Sequence, residues 1–313
     1  MSGKIRLGGT ARSPEDALLL HGLGLGFAEI GIADPVGFQA VKRQYRELSR
    51  STGLSYLCHA PREGDPNDIE TLETVYFPKL LQVLSIMPEL DMRLVTVHLW
   101  MDPRFVGKQT IAYKIGFLER LVEKAKTHGL TVCIENLSER ACDLAEALAA
   151  VPRLNLTLDL GHAELLSPEN TSFGFLEKFP ERIKHIHLHD NFGGASAGDD
   201  LHLPVGEGKI DFPKIFDSLL GAKYEGTMTL ELRPAQIQSC LEYVSALINT
   251  ETRYNSGGAS PPRPAGIGPR RAKGAMHLAG ARNVPRPQMA GAGRTPPCAF
   301  SSLHLYQSKK RKP

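Results

Sequence analysis

Lys184-His185-Ile186-His187-Leu188-His189-Asp190-Asn191 is the stretch on which the fold turns. Imidazole and aliphatic side chains alternate through it. In a strand, alternate residues face opposite sides, so His185, His187 and His189 share one face and Ile186 and Leu188 the other. Three imidazoles are poor core material and good metal-site material, because neutral imidazole is a common ligand. A solvated edge strand would show the same alternation, so the neighbouring segments decide between the two.

Those segments repeat the pattern. Leu94-Val95-Thr96-Val97-His98 places Thr96 and His98 opposite the valines. Leu130-Thr131-Val132-Cys133-Ile134-Glu135 groups Thr131, Cys133 and Glu135. Leu154-Asn155-Leu156-Thr157-Leu158-Asp159 groups Asn155, Thr157 and Asp159, and Thr227-Met228-Thr229-Leu230-Glu231 groups Thr227, Thr229 and Glu231. In each segment the large aliphatic residues take one face and small or polar residues the other. A barrel gives both faces a home, with aliphatic residues under outer helices and small polar ones toward the axis.

The whole chain supports that reading. Strands are expected near residues 5–8, 27–32, 54–59, 93–99, 130–135, 154–159, 183–189 and 227–232. Helices are expected between them, near 36–52, 68–87, 109–128, 141–150, 172–181, 212–222 and 235–249, with a first one opened by Ser13-Pro14-Glu15-Asp16. Ser13 suits a cap and Pro14 the first turn. Gly22, Gly24 and Gly26 follow a helix and precede a strand, the reverse of a dinucleotide-binding loop, and read as a turn. Alternation of this kind gives a parallel sheet. Eight units in about 250 residues predict an α/β fold, a closed (β/α)8 TIM barrel over residues 1–250.

Residues 251–313 have another composition. They hold twelve Lys and Arg against one acid, Glu251, whereas residues 1–250 hold 25 basic and 33 acidic residues. The segment is rich in Gly, Pro and Arg and carries no persistent period, which predicts a disordered basic tail. Its Lys309-Lys310-Arg311-Lys312 end could touch nucleic acid or stay a solvated tail without a role. No apolar run approaches the length of a bilayer span. The start of the chain lacks a signal-peptide core. The five cysteines form no CxxC pair, which suggests buried thiols and a cytoplasmic setting.

Six strands in succession thus end in side chains able to bind a metal or move a proton: His59, His98, Glu135, Asp159, His187 and Glu231. The carboxyl ends of barrel strands are where these folds place their sites. Carboxylates and imidazoles gathered there need compensation for charge, which a divalent cation supplies. The loops add His162, three residues past Asp159, with Gly161 letting the chain turn back. They also add Asp200 and His202, two apart, and Gly206-Glu207-Gly208 as a turn before a helix capped by Asp211.

At this level the chain resembles the xylose isomerase-like TIM-barrel superfamily, which includes sugar and sugar-phosphate isomerases and epimerases and endonuclease IV-type apurinic-site nucleases. The carrying motifs are Cys58-His59-Ala60-Pro61, Thr96-Val97-His98, Ile134-Glu135-Asn136, Leu158-Asp159-Leu160-Gly161-His162, His187-Leu188-His189-Asp190, Asp200-Leu201-His202, Gly206-Glu207-Gly208 and Leu230-Glu231-Leu232-Arg233. The resemblance covers about residues 4–249. It implies a divalent ion, Mn²⁺, Co²⁺ or Mg²⁺, held by Glu135, Asp159, His187 and Glu231. In the nuclease branch it implies Zn²⁺ ions held by those four with His59, His98, His162, Asp200 and His202.

Two activities follow as expectations. In the first, a small sugar or sugar phosphate is isomerised or epimerised through an enediolate, with Glu135 and Glu231 as acid and base. Arg233 would meet a substrate hydroxyl or phosphate, and His189, toward the mouth, would meet substrate or Asp190. Trp100 would wall a sugar face or simply pack. His185, deeper along the axis, would support the ligands. In the second, a multi-zinc site cleaves a phosphodiester at an abasic site in DNA. The net acidic body and the acidic loops Ala33-Asp34-Pro35 and Pro61-Arg62-Glu63-Gly64-Asp65-Pro66-Asn67-Asp68 count against nucleic acid, since phosphate contacts dominate that affinity. A metal-binding barrel without catalysis is a third reading. No membrane partner is expected, and the oligomeric state is left open.

Overall fold

The structure, a computed structural model, describes residues 5–249 together with Pro262 and Arg263. Eight parallel strands close in sequence order: β1 (Arg6–Ala11), β2 (Phe27–Gly31), β3 (Ser55–His59), β4 (Leu94–Val97), β5 (Thr131–Glu135), β6 (Asn155–Asp159), β7 (Ile183–Leu188) and β8 (Thr227–Leu230). Pairing of β8 with β1, Gly8 beside Thr229, shuts the barrel. This is the (β/α)8 barrel that the alternation predicts.

The two faces divide as the residue pattern requires. Val95, Val97, Val132, Ile134, Leu156, Leu158, Ile186, Leu188, Met228 and Leu230 lie in the apolar core under the helices. Inside, Thr96, Cys133, Thr157, His185 and Thr229 are fully enclosed. Thr96 and Thr157 join across the axis, Oγ1 to Oγ1, at 2.8 Å. Enclosed hydroxyls tolerate this interior because they find partners within it.

Register sets the depth of the functional side chains. Asp159 pairs with His187, and His187 with Thr229. The Asp159 and His187 side chains therefore stand at one level, near the carboxyl end of the barrel. Asp211 accepts from Lys214 N and caps the helix Phe212–Gly221, and Ser13 accepts from Asp16 N at the helix Pro14–Gly22, as expected.

Two helices differ from expectation. The one expected over 68–87 is broken into a turn, Ile69–Thr71, a π-turn, Leu72–Tyr76, and a helix, Phe77–Ile86. Pro78 has no N–H to give Thr74, and the Phe77 N–H reaches back five residues to Leu72 O. The helix expected over 141–150 is confined to Ala145–Ala150. Asp143 instead accepts from Arg140 N at 2.8 Å and from its Nε at 3.0 Å, which closes a turn there.

Cys58, Cys133 and Cys240 are free and buried. Among the described residues, no helix is long and apolar enough to cross a membrane. The tail expected over 251–313 lies outside the described residues except for Pro262 and Arg263. Arg263 donates to Gly208 O at 2.8 Å and to Ile210 O at 3.0 Å, in the loop after β7. A chain ending at Asn249 is expected to fold as the barrel. It forgoes those two bonds, about 1 kcal/mol each, so its thermal midpoint should fall by only a few degrees. An unfolded product would show that the barrel depends on the residues beyond 249.

Candidate metal centre

Strands β2 to β8 or the residues just past them deliver side chains to a single cluster, and four of its imidazoles are fixed from behind. His59 closes β3, with Nδ1 on Ala60 O at 3.0 Å and Nε2 facing Glu135 Oε2 at 3.4 Å. His162 has Nδ1 3.1 Å from Asn136 O and Nε2 3.4 Å from Asp200 Oδ2. His202 has Nδ1 3.1 Å from Glu231 O and Nε2 3.1 Å from Asp200 Oδ2. His187 has Nε2 on Glu29 and Nδ1 turned into the cluster. One nitrogen of each ring thus meets a carbonyl or carboxylate that selects its tautomer, and the other points inward, the arrangement in which imidazoles bind metals.

Five acids meet these rings: Glu29, Glu135, Asp159, Asp200 and Glu231. His187 Nδ1 lies 3.2 Å from Glu135 Oε1, 3.3 Å from Glu231 Oε1 and 3.7 Å from Asp159 Oδ2. The quartet named from the sequence therefore converges on one atom. Asp159 is clamped by Asn136, whose side chain accepts from Asp159 N at 2.8 Å and donates to its carbonyl at 2.9 Å. Glu231 stands one residue past β8, where its N–H donates to Leu188 O at 3.0 Å.

The donor atoms fall into overlapping groups. Those of His59, Glu135, His187 and Glu231 lie within 4.8 Å of one another, as do those of His162, His189, Asp200 and His202. His98 Nε2 stands 2.7 Å from Glu135 Oε2. That contact is a close approach without hydrogen-bond geometry, and both atoms, like His189 Nδ1 and Asp200 Oδ1, are buried without a hydrogen-bond partner. Buried polar atoms are rarely left so, and all four border the cluster. A divalent cation fits this donor set of imidazole nitrogens and carboxylate oxygens.

The electrostatics agree with that fit. Burial acts to raise the Glu135 carboxyl, but His98 and His187 opposite it hold it well below the usual range. Burial also acts to raise Asp159, and His162 and His189 outweigh it. Burial acts to lower His187, and Glu231, Glu29 and Glu135 push it well up. Burial alone dominates at His98, which is lowered. His202 is pushed up to about 9, the bond to Asp200 overcoming burial.

A pH dependence follows. In metal-stripped protein, the stability from the His202 proton is complete below its ordinary 6.5 and is lost as pH rises through about 9. The contribution of Glu135 is present above its ordinary 4.5 and is lost as pH falls through its lowered value. The stripped protein should therefore be most stable between about 4.5 and 6.5 and lose thermal midpoint toward pH 9. Metal replaces those protons, so it should raise the midpoint most at the alkaline end. A flat midpoint across 6.5–9 in stripped protein would show neutral histidines instead.

Other sequence-named residues take different places. His189 is fully enclosed, with Nε2 3.1 Å from Asp159 Oδ1 and its ring stacked on His202 at 3.9 Å. That places His189, expected to meet substrate or Asp190, within the donor cluster beside Asp159 and His202. Asp190 turns away, accepting from Gly206, Gly208 and Ile210 N–H groups and so holding the loop after β7. Gly161 is right-handed, φ −73°, so turning freedom is not its role. A Cβ there would lie 2.0 Å from His189 Cε1, so its bare Cα makes room for the ring. Trp100 donates from Nε1 to Ser138 Oγ at 2.8 Å and stacks on Phe105. Arg233 is exposed at the start of the helix Pro234–Ile248.

Glu29 on β2 is the main residue the sequence reading passed over, although the alternation Phe27, Glu29, Gly31 marks it as inward. Also missed is the buried Lys114, which donates to Glu63 Oε2 at 2.8 Å and to Trp100 O at 2.7 Å. It lies mid-helix, where no spacing flags it. The opening is lined by the more exposed donors, Glu231 at 13%, His59 at 18%, Asp200 at 22% and His202 at 33%.

The sequence matches the family described as xylose isomerase-like TIM barrel over residues 19–248. It is 28% identical over 155 residues to an uncharacterized protein of Methanocaldococcus jannaschii, covering 46% of this chain and 52% of that one. The chain thus spans about half the length of that relative. Its fold is similar to that of a D-tagatose 3-epimerase-like protein, with TM-score 0.64 and 20% identity, over 79% of this chain and 99% of the other. An L-ribulose 3-epimerase is similar with TM-score 0.64 and 16% identity, over 83% and 100%. At these identities the likeness is one of fold.

Proposed function

The chain belongs to the xylose isomerase-like TIM-barrel family, and from that premise we propose that it is a divalent-metal-dependent isomerase or epimerase of a small sugar or sugar phosphate. The observation that carries the proposal is the convergence of Glu135, Asp159 and Glu231 on His187 Nδ1. The likeness to a D-tagatose 3-epimerase-like protein and to an L-ribulose 3-epimerase supports the substrate class.

In this reading Glu135, Asp159, His187 and Glu231 hold the ion, which when bound polarises a substrate carbonyl and offsets charge gathering on oxygen. Glu135, held ionised by His98 and His187, takes a proton from the carbon beside that carbonyl. Glu231, on the opposite wall and nearer the opening, returns one to the other face or to the neighbouring carbon. The first outcome is epimerisation and the second isomerisation. His59 and His98 keep the Glu135 carboxylate aimed. Arg233 is placed to meet a distal hydroxyl or phosphate of the substrate, and Trp100 to border the sugar from the β4 side.

Incubation of metal-loaded protein with a panel of ketoses in D₂O tests this. The expected result is deuterium at the carbon beside the carbonyl for at least one of them. Bound metal with no exchange from any sugar would count against proton transfer.

One observation favours a second reading, zinc-dependent cleavage at abasic DNA. His162, Asp200 and His202 gather with His189 beside the quartet, so the larger donor set is assembled as well. Cleavage of an abasic duplex together with three zinc ions per chain would select it.

A further inference from the structure

We propose that Glu29 is a positioning residue that fixes the His187 ring so that Nδ1, rather than Nε2, serves the metal quartet. The inference rests on the reading of His187 as a ligand and extends it one layer deeper into the barrel.

Glu29 is 1% exposed. Its carboxylate oxygens lie 3.2 and 3.1 Å from His187 Nε2, on the side of the ring away from Glu135, Asp159 and Glu231. An ionised carboxylate accepts only, so Nε2 must carry a hydrogen, which leaves Nδ1 as the nitrogen whose proton a metal can displace. The same carboxylate reaches His185, Oε2 to Nε2, at 3.1 Å. His185 is anchored in turn, its Nδ1 2.7 Å from Thr227 Oγ1 and its Nε2 3.0 Å from Thr229 Oγ1. Beneath this chain Phe27 forms a floor, its ring edge-on to His185 at 6.1 Å.

Register shows how a residue of β2 reaches a ligand on β7. Between them stand β1 and β8, which set Gly8 beside Thr229, and Thr229 in turn pairs with His187. With no side chain at Gly8, the Phe27 ring fills that place, since a Cβ there would lie 2.5 Å from it. Glu29, two residues on, then stands over the ring and faces β7. Enclosing a carboxylate is costly unless it is paired. Balancing the charge of two enclosed imidazoles is the alternative role, and it makes no demand on which nitrogen of His187 is free.

The two roles separate experimentally. In zinc-loaded wild-type protein with ¹⁵N-labelled histidine, His187 is expected to show a protonated Nε2 and a zinc-shifted Nδ1. Glu29→Gln is expected to lower zinc affinity about 10–100-fold, by competition with a chelator, and to blur the tautomer signal while the circular dichroism is unchanged. Zinc on Nε2 of wild-type His187 would overturn the proposal whether or not the variant folds. So would a folded Glu29→Gln protein with unaltered zinc affinity, and in that case the metal-dependent reading of the quartet stands. Wild-type protein that binds no zinc at all would overturn both.

Discussion

Glu231→Gln is expected to lower turnover about a hundred- to ten-thousand-fold, the range for loss of a proton-transferring group, and to leave the barrel folded. Gln has the same length and can still accept from the ring that Glu231 faces, so packing is conserved. What disappears is the charge beside His187 Nδ1 at 3.3 Å and His202 Nδ1 at 3.6 Å, and the most exposed carboxyl of the quartet. Its main-chain bond to Leu188 O does not involve the side chain, so the end of β8 should not move. Steady-state rates and thermal melting check both halves. Retained activity in a well-folded variant would place the chemistry elsewhere.

Gly161→Ala should destabilise the barrel, because its methyl group would meet a neighbour at a shorter distance than at any other described glycine. The new Cβ would lie 2.0–2.4 Å from three atoms of the His189 ring. That ring has nowhere to go, being stacked on His202 and held to Asp159. Overpacking of this kind costs about 1–3 kcal/mol, so the thermal midpoint should drop by several degrees. The displaced ring also disturbs Asp159, so metal affinity should fall with it. A Gly161→Ala protein with wild-type melting and metal affinity would mean that His189 moves aside freely. His202 has a left-handed backbone, φ +46°, an unfavourable conformation for a non-glycine residue. Strain of that kind marks a position where the ring's place matters.

The barrel was legible because its inward and outward faces differ in chemistry. Alternation at 154–159 and 227–231 carries the strand, its direction and the residue at its end, and closure needs only eight such units. The quartet was legible for the same reason, each member being the last inward residue of a strand or the one just past it. Glu29 was overlooked because it sits mid-strand, where its inward face was not read for chemistry. The part His189 plays could not be read from its position along β7. Alternation gave its face but not its depth or its stacking on His202, a loop residue thirteen places further along the chain. Lys114 and the turn at 140–143 depend on side chains from distant loops, and periodicity carries no information about those.

The central claim is that the quartet around His187 Nδ1 holds one divalent ion. Metal content of protein purified without chelators, measured by elemental mass spectrometry after exhaustive dialysis, tests it most directly. One divalent ion per chain in wild-type protein, and none in Glu135→Ala, is the expected result. Three tightly held zinc ions per chain, or no metal at all, would contradict it.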